Sequence, residues 1–103
     1  MKLIETVKMA EENSDFVIGF ISQKNVSNNP ALLHIAPGIQ FKKESSMTDG
    51  LGQQYITPEM SIIDHRCDII VVGRGIIKSD SPVETAIKYQ KSAYDAYLKR
   101  LSL

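Results

Sequence analysis

An α/β fold built on a parallel sheet is the class this sequence predicts, and three observations predict it. The runs FVIGFIS, LLHIAPG and DIIVVG are rich in apolar residues at consecutive positions instead of alternating ones, which is how strands covered on both faces read. Segments of helical character precede the first run, precede the third and follow the last, and strands alternating with helices argue for parallel strands joined by right-handed crossovers. The length of 103 residues allows one domain with one core.

The elements follow in order. Leu3, Val7 and Ala10, with Ile4 beside them, keep the 3.6-residue period, so residues 2–13 are expected to form an amphipathic helix that stops at polar Asn13-Ser14. The first strand is expected over residues 16–22, and QKNVSNNP after it is a polar loop. The second strand, from residue 32, must break at Pro37-Gly38, because proline lacks the ladder N–H and glycine opens unusual backbone angles. From Gln40 to Gly52 the chain is polar without periodicity, the pattern of a long binding or lid loop. Thr57-Pro58 supplies an N-cap with proline at the first helical position, so a short helix is expected over residues 58–64. The third strand covers residues 68–73. Ser81-Pro82-Val83-Glu84 has the form of a capping box, and Val83, Ile87, Tyr94, Tyr97 and Leu101 mark the apolar stripe of a last helix running to about Arg100. No internal repeat or low-complexity segment interrupts this order.

Composition excludes several function classes. Twelve Lys+Arg against twelve Asp+Glu give a formal net charge of zero, and basic runs are as short as Lys42-Lys43, so no basic footprint for nucleic acid or anionic membranes exists. Charges interrupt MKLIETVKMAEENSDF before its apolar residues reach the length of a signal-peptide core or a membrane span, which makes the cytoplasm the expected location. One cysteine, Cys67, cannot close an internal disulfide, and with His34 and His65 it makes no zinc spacing.

A parallel α/β sheet gathers its ligands at the C-terminal ends of its strands. The residues to inspect are therefore Gln23 and Lys24, Pro37 to Gln40, and Gly73 to Gly75. Glycine on both sides of Arg74 lets the backbone approach a ligand, while the guanidinium can grip phosphate or carboxylate through two parallel hydrogen bonds. The same tripeptide also fits a plain strand-to-turn junction with a solvated arginine. GLGQQY, residues 50–55, ends the long loop with two glycines, two amides and a phenol, a donor-rich turn that could converge with Arg74 on one oxyanion. Cys67, entering an apolar strand, is expected to be a buried hydrophobe, His34 a hydrogen-bonded structural residue, and Tyr89, Tyr94 and Tyr97 packing residues with polar tips. Nucleophile-elbow, P-loop and paired-carboxylate motifs do not occur.

In order and spacing, FVIGFIS, LLHIAPGIQ, GLGQQY, DIIVVGRGII and YQKSAYDAYLKR resemble the C-terminal part of the orotidine 5'-phosphate decarboxylase family. FISQKNVS and LLHIAPGIQ are closest in flavour to the decarboxylase domain of eukaryotic bifunctional UMP synthases. The resemblance covers nearly all of the chain, and its motifs are specific as a set although each alone is weak. It implies a TIM (β/α)8 barrel that works as a homodimer with neither metal nor organic cofactor. At ~30 residues per βα unit of a ~250-residue barrel, residues 1–103 would be its C-terminal segment, strands six to eight, an incomplete barrel on its own.

The ligands implied are orotidine 5'-phosphate and UMP. Carried over by position, Gln53 would bridge phosphate and pyrimidine, Tyr55 would donate its hydroxyl to the phosphate, Gly73 and Arg74 would grip the phosphate from backbone and guanidinium, and Pro37, with Ile39 nearby, would wall the pyrimidine pocket. In the family, a Lys/Asp network centred on Asp-x-Lys-x-x-Asp protonates the carbanion left when carbon dioxide departs. This sequence lacks that motif; DHRCD differs in residue and spacing, so no catalytic residue is assigned here. The expected function is thus the phosphate- and pyrimidine-binding half of a carboxy-lyase that forms UMP in pyrimidine biosynthesis, inactive alone. A non-catalytic nucleotide-binding or partner-associating barrel fragment is the competing expectation, and a sugar-phosphate epimerase fragment a third. The segment from Gln40 to Gly52 is a few residues longer than the family leads one to expect.

Overall fold

The computed structural model describes residues 3–41 and 56–103. The first helix, α1 (Leu3–Glu12), turns Val7 and Ala10 toward the first strand and leaves Leu3 and Ile4 exposed. It stops where expected, because the Asn13 side chain donates to the Met9 carbonyl at 2.7 Å and the Phe16 N–H bonds to the Asn13 carbonyl. Competition of this kind between a side-chain amide and the helix ladder is what ends helices at asparagine.

Three strands, β1 (Gly19–Ile21), β2 (Leu33–Ala36) and β3 (Ile69–Ile70), form a parallel sheet in the order β1-β2-β3. Gly19 faces Leu33, Phe20 faces His34, Ile35 faces Ile69 and Ala36 faces Ile70. Every strand is shorter than its apolar run. Around β3 the chain keeps following β2 on both sides, with the Asp68 N–H bonded to the His34 carbonyl and the Val71 N–H to the Ala36 carbonyl, each at 2.8 Å. The sheet is open, with β1 and β3 as edges.

The two faces of the sheet differ. Phe20, His34 and Ala36 point to one side and are buried there. The alternate positions Ile21, Leu33, Ile69 and Val71 point to the other side and are exposed, Ile21 at 70%. Expectation and structure therefore agree on apolar composition and disagree on cover: among the described residues one face is packed, and the other is largely exposed around half-buried Ile35.

No crossover helix joins β1 to β2. Residues 22–32 instead cross the packed face as a loop held by successive side-chain turns, in which Asn25 Oδ1, Ser27 Oγ and Asn29 Oδ1 accept from the backbone N–H two residues on. Val26 from this loop packs with Ala10, Phe20 and Leu32 in one apolar cluster. A second cluster, Ala36, Ile39, Ile56, Cys67 and Tyr89, lies toward the other end of the sheet.

The expected helix after Thr57 forms, and the Thr57 hydroxyl accepts from the Met60 N–H at 3.2 Å. Its Met60–Asp64 part winds as a π-helical turn closed by a His65 N–H bond to the Met60 carbonyl. A short helix that the sequence did not announce, α2 (Arg74–Ile77), follows β3 directly.

The last helix, α3 (Pro82–Leu101), has the expected extent and a different buried face. Tyr89 and Ala96 are buried and Ala86 and Ala93 half-buried, whereas Val83, Ile87, Tyr94, Tyr97 and Leu101 are exposed. Small alanines let the helix approach the sheet, a preference that hydrophobic periodicity does not weigh. The capping box is not formed either. Ser81 makes no side-chain cap; Ser79 Oγ accepts from the Ser81 N–H and meets Thr85 Oγ1 at 2.7 Å. Among the described residues, no helix is long and apolar enough to cross a membrane.

Candidate functional site

Because the three strands are parallel, the segments that follow them leave from one end of the sheet. Gln23 follows β1, Pro37 to Gln40 follow β2, and Gly73 to Gly75 follow β3, so the structure brings three of the sequence-predicted residues, Pro37, Gly73 and Arg74, to that end. Gln53 and Tyr55 lie outside the described residues.

Each segment is shaped by its sequence. Gly38 has a φ of +73°, a left-handed conformation that glycine adopts without penalty, and it turns the chain sharply after half-buried Pro37. Gln23 reaches across from β1, its amide nitrogen 3.4 Å from where a Gly38 Cβ would stand. Ile39 is drawn into the core and pairs with Ile56 in a parallel bridge, with the Gln40 N–H bonded to the Ile56 carbonyl at 3.0 Å and the Ile56 N–H to the Gly38 carbonyl at 3.3 Å. The chain on either side of residues 42–55 is thereby fixed at this end of the sheet.

The two glycines beside Arg74 answer to different demands. A Cβ on Gly73 would meet nothing within 4 Å, so packing does not require glycine there and the backbone is left bare. A Cβ on Gly75 would stand 2.5 Å from the Tyr89 hydroxyl and 3.3 Å from Gln40 Cγ, so packing excludes it. Arg74 opens α2, exposed, between them.

Tyr89 is the packing residue with a polar tip that the sequence led one to expect, and it ties two of these segments together, which the sequence did not show. Its hydroxyl oxygen accepts the Phe41 N–H at 2.9 Å and its ring stacks on Phe41 with centroids 4.1 Å apart. The signal was its place between the small residues Ala86 and Ala93, where a helix can press a phenol into a core.

Elsewhere a polar hub behaves structurally, as expected for His34. That residue is 1% exposed; Nε2 accepts from the Val26 N–H at 3.1 Å, Nδ1 lies 3.6 Å from Asp68 Oδ2, and Asp68 Oδ2 accepts the His34 backbone N–H at 2.8 Å. Arg100 closes the hub from α3, donating to the Cys67 carbonyl at 2.8 Å and the Ile62 carbonyl at 3.0 Å. Cys67 is fully buried, and burial pushes its thiol above the ordinary value, the inert behaviour expected of it. An apolar groove of about 580 Å³ lies between β3 and α3, lined by Ile69, Val72, Ala93 and Tyr94 among others, and it reaches Ile76 and Tyr89.

The profile of the Orotidine 5'-phosphate decarboxylase / HUMPS family matches residues 2–89. The chain is 50% identical over 97 residues to a uridine 5'-monophosphate synthase of Bos taurus, covering 94% of this chain and 20% of that protein. It is 43% identical over 106 residues to an orotidine 5'-phosphate decarboxylase of Hypocrea jecorina (93% of this chain, 28% of the relative) and 41% identical over 102 residues to one of Rhizopus oryzae (96% and 37%). The chain thus spans between a fifth and somewhat over a third of the length of these relatives.

Proposed function

Because the chain belongs to the orotidine 5'-phosphate decarboxylase / HUMPS family, we propose that it is the C-terminal segment of a decarboxylase barrel, with β1, β2 and β3 as strands six, seven and eight. In this reading residues 1–103 supply the half that grips orotidine 5'-phosphate and its product UMP. The observation that carries it is the convergence of Pro37, Gly73 and Arg74 at the C-terminal end of a parallel sheet, where barrels bind phosphate.

The chemistry is divided accordingly. Arg74 binds the phosphate through its guanidinium, and the bare backbone at Gly73 admits a phosphate oxygen where a side chain would stand. Gln53 spans phosphate and pyrimidine, the Tyr55 hydroxyl donates to the phosphate, and Pro37 bounds the ring. None of these groups touches the bond that breaks. Their contribution is remote binding energy, which holds the substrate so that loss of the C6 carboxylate as carbon dioxide, and protonation of the resulting carbanion by a lysine on an earlier strand, meet a lower barrier. The assembled enzyme is a cytoplasmic homodimer that needs no metal or organic cofactor, and this chain alone does not decarboxylate.

The bare sheet face of Ile21, Leu33, Ile69 and Val71 favours a second reading, a partner-associating barrel fragment without catalysis. Recombining the chain with the first five βα units of a relative separates the two. A decarboxylase segment restores UMP formation from orotidine 5'-phosphate, and Arg74→Ala raises KM at least about tenfold, the loss expected for one charge-assisted bidentate contact. A folded recombined barrel that forms no UMP sinks the decarboxylase reading and leaves the second.

A further inference from the structure

We propose that Tyr89 is a positioning residue for phosphate recognition, clamping the chain that follows β2 against the turn that carries Arg74. The inference rests on the assignment of Arg74 as the phosphate grip and adds a residue to it. Three segments meet at the Tyr89 side chain, which is 3% exposed. From α3 its hydroxyl oxygen holds the Phe41 backbone N–H at 2.9 Å, and its ring lies on the Phe41 ring with an interplanar angle of 24°. Gly75, one residue beyond Arg74, sits over the same hydroxyl so closely that a Cβ would stand 2.5 Å from it and 3.3 Å from Gln40 Cγ.

Packing alone would be served by phenylalanine. The hydroxyl adds a hydrogen bond to a backbone amide and sets the height at which the glycine turn rests. An exposed arginine reaches a ligand at a distance fixed by the backbone beneath it, and that backbone rests on Tyr89. A phenol is suited to this task, since two side-chain torsions, stacked and buried, leave the oxygen little freedom.

The test titrates the chain calorimetrically with uridine 5'-phosphate and, separately, with uridine, for the wild type, Tyr89→Phe, Gly75→Ala and the double variant, with thermal unfolding of each alongside. Tyr89→Phe weakens uridine 5'-phosphate about three- to tenfold, the worth of one hydrogen bond, and leaves uridine unchanged. Gly75→Ala weakens uridine 5'-phosphate further, and adding Tyr89→Phe restores part of the loss because the obstructing hydroxyl is gone. A merely structural Tyr89 lowers both affinities in parallel, or lowers Tm with neither changed, and either result overturns the proposal. Should Tyr89→Phe not fold, Gly75→Ala, which keeps the tyrosine, must still discriminate between the two ligands. A wild type that binds uridine and uridine 5'-phosphate alike, or binds neither, removes the phosphate site and this proposal with it. A wild-type preference that Arg74→Ala abolishes and Tyr89→Phe leaves intact removes this proposal alone.

Discussion

At Gly19 the parallel pairing of β1 with β2 leaves no room for a side chain: a Cβ there would stand 2.1 Å from the Leu33 carbonyl oxygen, a backbone atom that cannot swing away. Gly19→Ala is expected to cost about 1–3 kcal/mol, the usual penalty of overpacking, measured as a lower midpoint in urea unfolding. Arg66 presents the opposite case. Its φ of +58° lies in the left-handed region, which costs a residue with a Cβ roughly 1–2 kcal/mol. Arg66→Gly removes that strain, and after the extra freedom glycine gives the unfolded chain, stability rises by up to about 1 kcal/mol. Cys67 ties residue chemistry to pH. Burial raises its thiol above the ordinary 9.0, so the folded chain holds its proton where the unfolded chain would release it. Well below pH 9.0 both states are protonated and stability is flat on this account; as the pH approaches and passes 9.0 the unfolded state ionises first and stability falls until the folded thiol also titrates. Unfolding midpoints measured from pH 7 to 10, with Cys67→Ala as the control that loses the decline, check this. The residue-level expectations for Cys67 and His34 were legible because an apolar strand leaves a thiol or an imidazole few options beyond burial and a backbone partner. Arg66, two residues beyond the π-helical turn, was not legible, since a positive φ is not arginine's own preference.

Elements were legible where local chemistry sets them and obscure where packing does. Thr57-Pro58 marked a helix start because the threonine oxygen meets an orphan N–H within three residues, and the structure shows that bond. The last helix was placed correctly end to end, yet its packed face was misjudged. Val83, Ile87, Tyr94 and Leu101 make the greasier stripe, while the sheet accepts the stripe of Ala86, Tyr89, Ala93 and Ala96. The choice follows from Tyr89, which must reach Phe41, and from Arg100, which must reach the Ile62 and Cys67 carbonyls. Arg100→Ala, which removes this donor from those part-buried carbonyls and the guanidinium 3.5 Å from Asp68 Oδ1, is expected to cost about 1–3 kcal/mol. Arg100→Lys recovers little of it, because a point charge cannot reproduce the fork. The strand-end cluster was half legible: the parallel pattern alone indicated where to look, but the clamp under Gly75 depends on residues fourteen and forty-eight positions from Tyr89 in sequence, a separation no local pattern carries.

Across the whole molecule, the unbroken apolar runs predicted a sheet covered on both faces, and the structure covers one. That disagreement is informative. Ile21, Leu33, Ile69 and Val71 have the apolar character of core residues and yet stand exposed among the described residues. In solution the isolated chain is expected to self-associate through this face and the open sheet edges, so light scattering should give a mass that rises with concentration. Ile21→Lys with Val71→Lys should return it to monomer. The proposal that this chain holds the phosphate-gripping part of a decarboxylase barrel stands or falls on its affinity for uridine 5'-phosphate against its affinity for uridine, before and after Arg74→Ala. The wild-type chain is expected to prefer the phosphorylated ligand clearly and Arg74→Ala to lose that preference; equal affinity of wild type and variant for uridine 5'-phosphate overturns the proposal.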